Sequence, residues 1–329
     1  MLFRSAPPRH RDLRNICNKR FTVRGLQPYE DFIREIARGV LDRAFAKGEC
    51  DFVLEVAKEL PIRFLCAIFE VPQDDAPMLI DWGDAMIGNQ DPEYSAAVVD
   101  QVDTEEYRLL PFRSPIARDV FAYGRRQRDL RLEEPQDDVI NALTIAQQEG
   151  ILTERDYDNY FSLLMIAGNE TTRHTISHGM HALMENPDQL RLLQEDPSLI
   201  PNDVEEILRW ATPVLHFRRT ATRDVELRGQ RIRAGDKVVT WYISANRDET
   251  VFPDPYRFDV RRNPNPHVTF GPGGPHFCLG AHLARLETRV LFQELLPRLA
   301  SIEPTGPVER MRSNFVHGIK HMPVRIGAR

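Results

Sequence analysis

No stretch of this 329-residue chain approaches the roughly 18 consecutive apolar residues that span a bilayer. The opening "MLFRSAPPRH" lacks the apolar block of a signal peptide. A basic surplus is also missing: the net charge is −6, which argues against wholesale nucleic-acid binding. These absences set the expectation of a soluble, cytoplasmic protein with neither a nucleic-acid nor a membrane partner. Cysteine is scarce. Cys17, Cys50, Cys66 and Cys278 include no C-x-x-C pair, so a disulfide framework and a zinc ribbon are both disfavoured. Repeats and low-complexity linkers are absent, and a single monomeric domain over 1–329 is the simplest organisation. What the chain does have is an ordinary globular balance, 42% hydrophobic and 28% charged, enough for a sizeable core.

The first two thirds read as helical, with periodic segments at 9–22, 28–47, 53–69, 76–86, 94–134 and 137–149. Cys17, Cys50 and Cys66 fall in such patterns and read as buried hydrophobes. A long helix follows, capped by Thr153 with Asp156 three residues on and ended at Asn186-Pro187. Its middle, "LLMIAGNETT", breaks a local rule: a helix destined for the core carries glycine and four polar residues at its centre, and such places are often functional. A short helix at 187–194 precedes "DVEEILRW", for which Asn202 and Glu205 form a second capping pattern. After Pro213 the texture changes to alternating short strands with turns at Arg228-Gly229 and Ala234-Gly235-Asp236. Residues 247–266 read as irregular chain, a helix runs to about Leu299, and "SNFVHGIKHMPVRI" reads as a small hairpin. The fold class is mainly α with a minor β part.

One stretch explains itself only through chemistry. "FGPGGPHFCLGAHLARLE", 270–287, surrounds Cys278 with backbone control and then becomes a helix. A sulfur just before a helix faces backbone N–H groups of Leu279 and Gly280, and those donors with the helix dipole favour a thiolate. Gly273, Gly274 and Gly280 leave room for a large flat ligand; Phe270 and Phe277 offer packing; His276 offers a donor to a carboxylate. Thiolate, flat ligand and carboxylate partner together point to haem with Cys278 as the metal ligand. A Cys278 that is merely a core cysteine at a tight turn is the weaker reading.

The loop resembles the signature F-x-x-G-x-(H/R)-x-C-x-G of the cytochrome P-450 superfamily, with one more residue between Phe270 and Cys278. The longer form is found in bacterial members that oxidise sterols and methyl-branched lipids. Other motifs agree in order. "EEILRW" supplies Glu206 and Arg209 as the family's E-x-x-R, and "PYRFD" supplies Arg257 as the third member of its charged triad, a fold lock. "AGNETT" resembles the family's acid–alcohol pair, giving Glu170 and Thr171. "HFRRTATRD" places Arg219 at a haem propionate, and "PPRHRDLR" places His10 and Arg14 there as H-x-x-x-R. The segment that precedes this last motif in the family, with its first helices and most strands of the larger sheet, has no counterpart here.

The resemblance implies a cytochrome P-450 fold shortened at its N-terminus, an exposed sheet edge near Arg219 and a pocket open on one side. It implies haem b as cofactor and a monooxygenase that uses O2 on a hydrophobic substrate such as a steroid, terpenoid or fatty acid. Pocket walls would come from Met165, Ile166, Ala167, Val214, Leu215, Phe315 and Val316. Electrons would come from a ferredoxin and its NAD(P)H-dependent reductase, since no flavin or NAD fingerprint is present. A basic face of Arg9, Arg11, Lys19, Arg20, Arg24, Arg285 and Arg289 would suit an acidic donor, although a solvated face explains such charges equally well. The alternative is a non-catalytic remnant that binds haem weakly, or a lipid, without turnover. His174, His178 and His181, at i, i+4, i+7, could hold zinc, but no fourth ligand lies nearby in sequence, and partly buried polar residues are the favoured reading.

Overall fold

A computed structural model describes residues 5–329. Among the described residues the α-helices are α1 (Arg9–Asn15), α2 (Val23–Leu26), α3 (Glu30–Lys47), α4 (Glu59–Ile68), α5 (Ala76–Ile87), α6 (Ala117–Glu133), α7 (Val139–Gln148), α8 (Glu154–Glu185), α9 (Pro187–Glu195), α10 (Ile200–Ala211), α11 (Tyr242–Ala245) and α12 (Ala281–Leu295). The mainly helical class and the strand texture after Pro213 are as expected.

α8 is the axis. Its Thr153–Asp156 capping box forms reciprocally, and its 32 residues span about 48 Å at 1.5 Å each. It packs against α4, α5, α6, α7, α10 and α12. Two close approaches depend on missing side chains: a Cβ at Gly124 would lie 2.7 Å from Phe161, and one at Gly179 would lie 2.8 Å from Ile207. Any larger residue there must push α6 or α10 off the axis.

The β part is a set of small antiparallel sheets. β1 (Glu49–Asp51), β9 (Pro323–Ala328) and β6 (Leu299–Pro304) form one in the order β1-β9-β6. β2 (His216–Thr220) pairs with β5 (Lys237–Trp241), β3 (Val225–Leu227) with β4 (Gln230–Ile232), and β7 (Glu309–Arg310) with β8 (Ile319–His321). Among the described residues β2 pairs with β5 alone, so the edge beside Arg219 is open.

Four expectations are corrected. Helix 94–134 begins only at Ala117, because Pro111 and Pro115 cannot donate within a helix and Asp103 turns the chain by accepting from the Glu105 N–H at 2.9 Å. The α10 helix starts at Ile200 without a side-chain cap, so Asn202 and Glu205 form no capping box; Glu205 instead binds Arg285 and His267. The C-terminal segment is no hairpin: β9 is the central strand between β1 and β6. Cys50 is a half-buried strand residue in β1, whereas Cys17 and Cys66 are buried.

The charged triad takes Arg262, four residues after Phe258, in place of Arg257. Glu206 and Arg209 are fully buried and paired at 2.7 Å. The third member is Arg262, whose Nε lies 3.2 Å from Glu206. Arg257 is exposed and contributes only its carbonyl, which accepts from Arg262 at 2.9 Å. Arg262→Leu strips a buried carboxylate of one partner and should cost about 3 kcal/mol. Arg257→Leu should stay within about 0.5 kcal/mol of the parent. Thermal midpoints of the two variants check this, and equal losses would refute the assignment.

Candidate active site

The cysteine loop is held from behind. Asn246 donates to Thr212 and Thr269, both at 2.9 Å, and accepts from the Val268 N–H at 2.8 Å. Thr269 in turn donates to the Leu208 carbonyl at 2.8 Å. These bonds anchor the chain one residue before Phe270. Phe270 packs on the core with the Arg285 guanidinium 4.5 Å from its ring centroid. Its carbonyl accepts from the Cys278 N–H at 2.9 Å. Between them Gly271, Gly273 and Gly274 have φ of 93°, 100° and 80°, conformations closed to side chains at low cost.

Cys278 is the exposed cysteine of the four. Burial pushes its thiol up, and the Gly280 N–H, Arg14 and Arg285 pull it down. α12 begins at Ala281 with Gly280 at its N-cap, and the Gly280 N–H lies against the sulfur.

Cationic and donor groups converge on the same loop. His10 Nε2 donates to the Pro275 carbonyl at 2.7 Å, and the His10 ring stacks on His276 at 4.0 Å. Arg14 reaches the carbonyls of Pro275 and Phe277. Arg219 is near enough that, after burial and His10, its charge helps hold His276 below the usual histidine range. Neither Arg14 nor Arg219 pairs with a carboxylate among the described residues. A thiol aimed along a helix end, glycines without neighbours at Gly273, Gly274 and Gly280, and anion-seeking groups lacking an anion together fit haem: a metal at the sulfur and carboxylates at the cations.

On α8, Ala167 is exposed and Gly168 and Thr171 are half-buried, in a helix otherwise buried at its centre. Thr171 donates to the Ala167 carbonyl at 2.8 Å. Glu170 points elsewhere, into a fully buried cluster. Arg173 binds both Glu170 and Asp84, the latter at 2.6 Å, and Lys58 binds Asp84 at 2.7 Å. Two cations offset two anions, which is what permits burial. Burial raises the Glu170 carboxyl, and Arg173 opposes it. Of the two acids in "APMLIDWGDAMI" of α5, Asp81 is exposed and Asp84 is the buried one that joins this cluster; neither it nor Arg262 carries a local sequence signal.

Of the pocket candidates, Val214 and Val316 form a bridge and Leu215 N–H donates to Phe315 at 2.9 Å. Ala167, Val214, Leu215 and Phe315 keep exposed surface, while Met165, Ile166 and Val316 are buried. His174 and His178 are buried, with His317 4.1 Å from His178, and no metal-ligating cluster forms among the described residues. The basic face is partly spent: Arg9 pairs with Asp156, Arg20 with Asp137, Arg285 with Glu205 and Arg289 with Glu30. No helix among the described residues is long and apolar enough to cross a membrane.

Comparison with known proteins follows this geometry. Residues 116–321 match the family model "Cytochrome P450". The chain is 40% identical over 322 residues to a methyl-branched lipid omega-hydroxylase of Mycobacterium tuberculosis, covering 96% of this chain and 72% of that one. It is 39% identical over 318 residues to a steroid C26-monooxygenase of Mycolicibacterium smegmatis, covering 96% and 71%. Among solved structures, a Mycobacterium marinum cytochrome P450 in complex with pseudoionone superposes with a TM-score of 0.89 at 41% identity, covering 98% of this chain and 76% of that one.

One buried acid gives a clean linkage test. Glu287, on α12, is fully buried with neither carboxyl oxygen in a well-formed hydrogen bond, and the nearby Thr172 hydroxyl only partly offsets that burial. Burial pushes it up to about 8. A raised acid stabilises the fold fully below its unfolded value near 4.5 and loses that contribution as pH rises to about 8. Glu287→Gln should therefore gain on the parent by about 1.4 kcal/mol per pH unit across that window. A midpoint difference that does not change between pH 5 and 8 would sink the assignment.

Proposed function

The chain belongs to the cytochrome P450 family, and from that premise we propose that it is a haem-thiolate monooxygenase with Cys278 as the iron ligand. The reaction places one atom of O2 into a C–H bond of a hydrophobic substrate and releases the other as water, with two electrons from a ferredoxin and its NAD(P)H-dependent reductase. Relatives named for steroids and for methyl-branched lipids support a steroid, terpenoid or fatty-acid substrate. The observation that carries the reading is the convergence of His10, Arg14, Arg219 and His276 on a glycine-built loop whose cysteine faces a helix N-terminus.

Haem b, when bound, supplies the iron at which O2 is reduced. The protein's own part is electrostatic and positional. Gly280 N–H, Arg14 and Arg285 favour the anionic sulfur, and a cation at that sulfur completes its deprotonation. Arg14, Arg219, His10 and His276 would hold the propionates. Phe270, fixed between Arg285 and the core, keeps the loop from collapsing over the thiol, and Gly280 admits close approach. Thr171 holds a proton at Oγ1, now given to the Ala167 carbonyl, and one χ1 rotation turns it from that carbonyl. Glu170 holds or releases a proton at its carboxyl, which Arg173 and Asn169 bind. Ala167, Val214 and Leu215 would present apolar surface to the substrate, with the buried Ile166 and Val316 packed behind them.

Reduced, haem-supplemented protein exposed to CO should show the red-shifted Soret band of thiolate ligation, and Cys278→Ala should abolish it. Thr171→Ala should keep the band and lower product formation roughly 10²-fold. Loss of haem on gel filtration, or an unshifted band in the parent, would overturn the proposal.

A further inference from the structure

The histidines in the second half of α8 are used neither by the thiol site nor by the proton chemistry above. His178 is buried, and its ring lies 4.1 Å from that of His317. His178 Nε2 donates to the His317 carbonyl at 3.1 Å. His317 Nδ1 donates in turn to the Ala211 carbonyl, at the end of α10, at 2.7 Å. Its Nε2 accepts from the Arg310 guanidinium at 3.2 Å. A neutral imidazole has one donor and one acceptor nitrogen, and His317 uses both. One residue thus ties α8, α10 and β7 together.

What it ties down is the turn between β7 and β8, residues 311–318. The Met311 N–H closes the turn by donating to the Gly318 carbonyl at 3.0 Å. Ser313 Oγ stiffens it by accepting from the N–H groups of Phe315 and Val316 at 3.1 and 3.0 Å. Against the chain after α10 the turn has the Leu215–Phe315 bond and a second one, from the His317 N–H to the Pro213 carbonyl at 2.8 Å. A two-stranded contact of that size is marginal by itself. At the far end the turn meets α8: a Cβ on Gly318 would lie 2.9 Å from the His174 ring. The turn presents Phe315, whose ring lies 5.8 Å from Phe217, and the Arg219 guanidinium lies 5.9 Å from Phe217 in its turn.

The seat and the half-open alcohol belong to one rigid helix. Thr171, His174 and His178 follow one another at i, i+3 and i+7, on one face of α8. His178 stands about 10 Å beyond Thr171 along the axis. Burial chiefly, then the facing His317 ring and Arg310, holds His178 well below the usual histidine range. Burial and Arg310 lower His317 as well, against the pull of its bond to Ala211. The other titratable and charged groups that face the pair are His174, His181 and Glu185 on α8 and Arg247 after α11. The pair stays neutral where an exposed histidine is charged, so the seat keeps its bonds.

We propose that His317, held by His178, is a positioning residue for the substrate: the imidazole pair seats turn 311–318 on α8, fixes Phe315 relative to the Thr171 face, and so sets which carbon of a hydrophobic substrate is presented. This rests on the reading of the site as a monooxygenase with Phe315 on its wall.

The test is hydrogen exchange of the holoenzyme, read in peptides covering 213–217 and 313–318, with the product ratio as the second readout. His317→Leu fills the space but removes the bond to Ala211. It should speed exchange in both peptides roughly tenfold, the loss of one buried hydrogen bond, with the thiolate CO band in place. His317→Asn sets an amide N–H where Nδ1 stands and should restore the parental rates. Parental rates in the Leu variant would overturn the seat, as would rates in the Asn variant no slower than in Leu. With iso-palmitic acid as the probe, the ratio of terminal to subterminal alcohol should shift severalfold in His317→Leu and return in His317→Asn. Faster exchange with an unchanged ratio would overturn the positioning role. Should His317→Leu fail to fold, His178→Phe, which keeps a ring and removes the donor, decides by the rates in 313–318. Should the parent leave iso-palmitic acid unoxidised, the exchange rates decide. A parent without the thiolate CO band would defeat the monooxygenase reading, while the exchange rates would still decide the seat.

Discussion

The buried Glu206–Arg209–Arg262 group is the constraint on which the placement of the cysteine loop depends. From Asn246 to Thr269 the chain has no regular backbone ladder, yet it must run through the interior beside the site. Its backbone groups need partners all the same. Glu206 accepts from the Asp259 N–H, and Arg209 donates to the carbonyls of Asn246 and Pro255. Charged groups here replace the ladder, which is why they are buried and why a hydrophobic substitute would not do. The desolvation cost is met by charge-assisted bonds in fixed geometry. The path then passes through Asn246 and Thr269 to Phe270, and so to the loop that aims Cys278.

α8 solves the opposite problem. It must be buried to organise six neighbouring helices, and it must carry polar chemistry at its centre. Part of the cost is absorbed within the helix: Thr171, Thr175 and Ser177 donate to carbonyls four residues back, a bonding mode that weakens helix interiors slightly. The rest is absorbed by pairing Glu170 with Arg173, one turn away, and Arg173 with Asp84 from α5. Thr171 and Glu170, adjacent in sequence, consequently face different surroundings, one half-open and the other sealed.

What was legible in the sequence follows from how local each signal is. The α8 cap and the strand texture after Pro213 are local patterns, and the structure has both. Helix 94–134 failed because its apolar spacing mimics a helix while Pro111 and Pro115 act through single missing donors. The Arg257 assignment failed because two arginines lie within reach of Glu206 and only the packed path of 253–262 decides which turns inward. β1 was invisible: a three-residue strand is defined by its partner β9, nearly the whole chain away. The Lys58–Asp84–Arg173 set was missed for the same reason, since its members are far apart and meet only through the fold.

The two buried polar hubs differ in a way that bears on their roles. At Glu206 and Arg209 both carboxylate oxygens and the guanidinium nitrogens find partners, which fixes that pair in one arrangement, although Asn265 Oδ1 and the Asp203 carboxyl beside it have none. At Glu170 the surrounding atoms Arg173 Nε, His174 Nδ1, Asn169 Oδ1 and Tyr94 Oη do not. A network with unused donors has several arrangements close in energy, and small displacements choose among them. The first hub therefore suits a fixed support beneath the cysteine loop. The second suits the proton-handling role proposed for Glu170, and it is the one touched by a long, irregular connection rather than by regular structure alone.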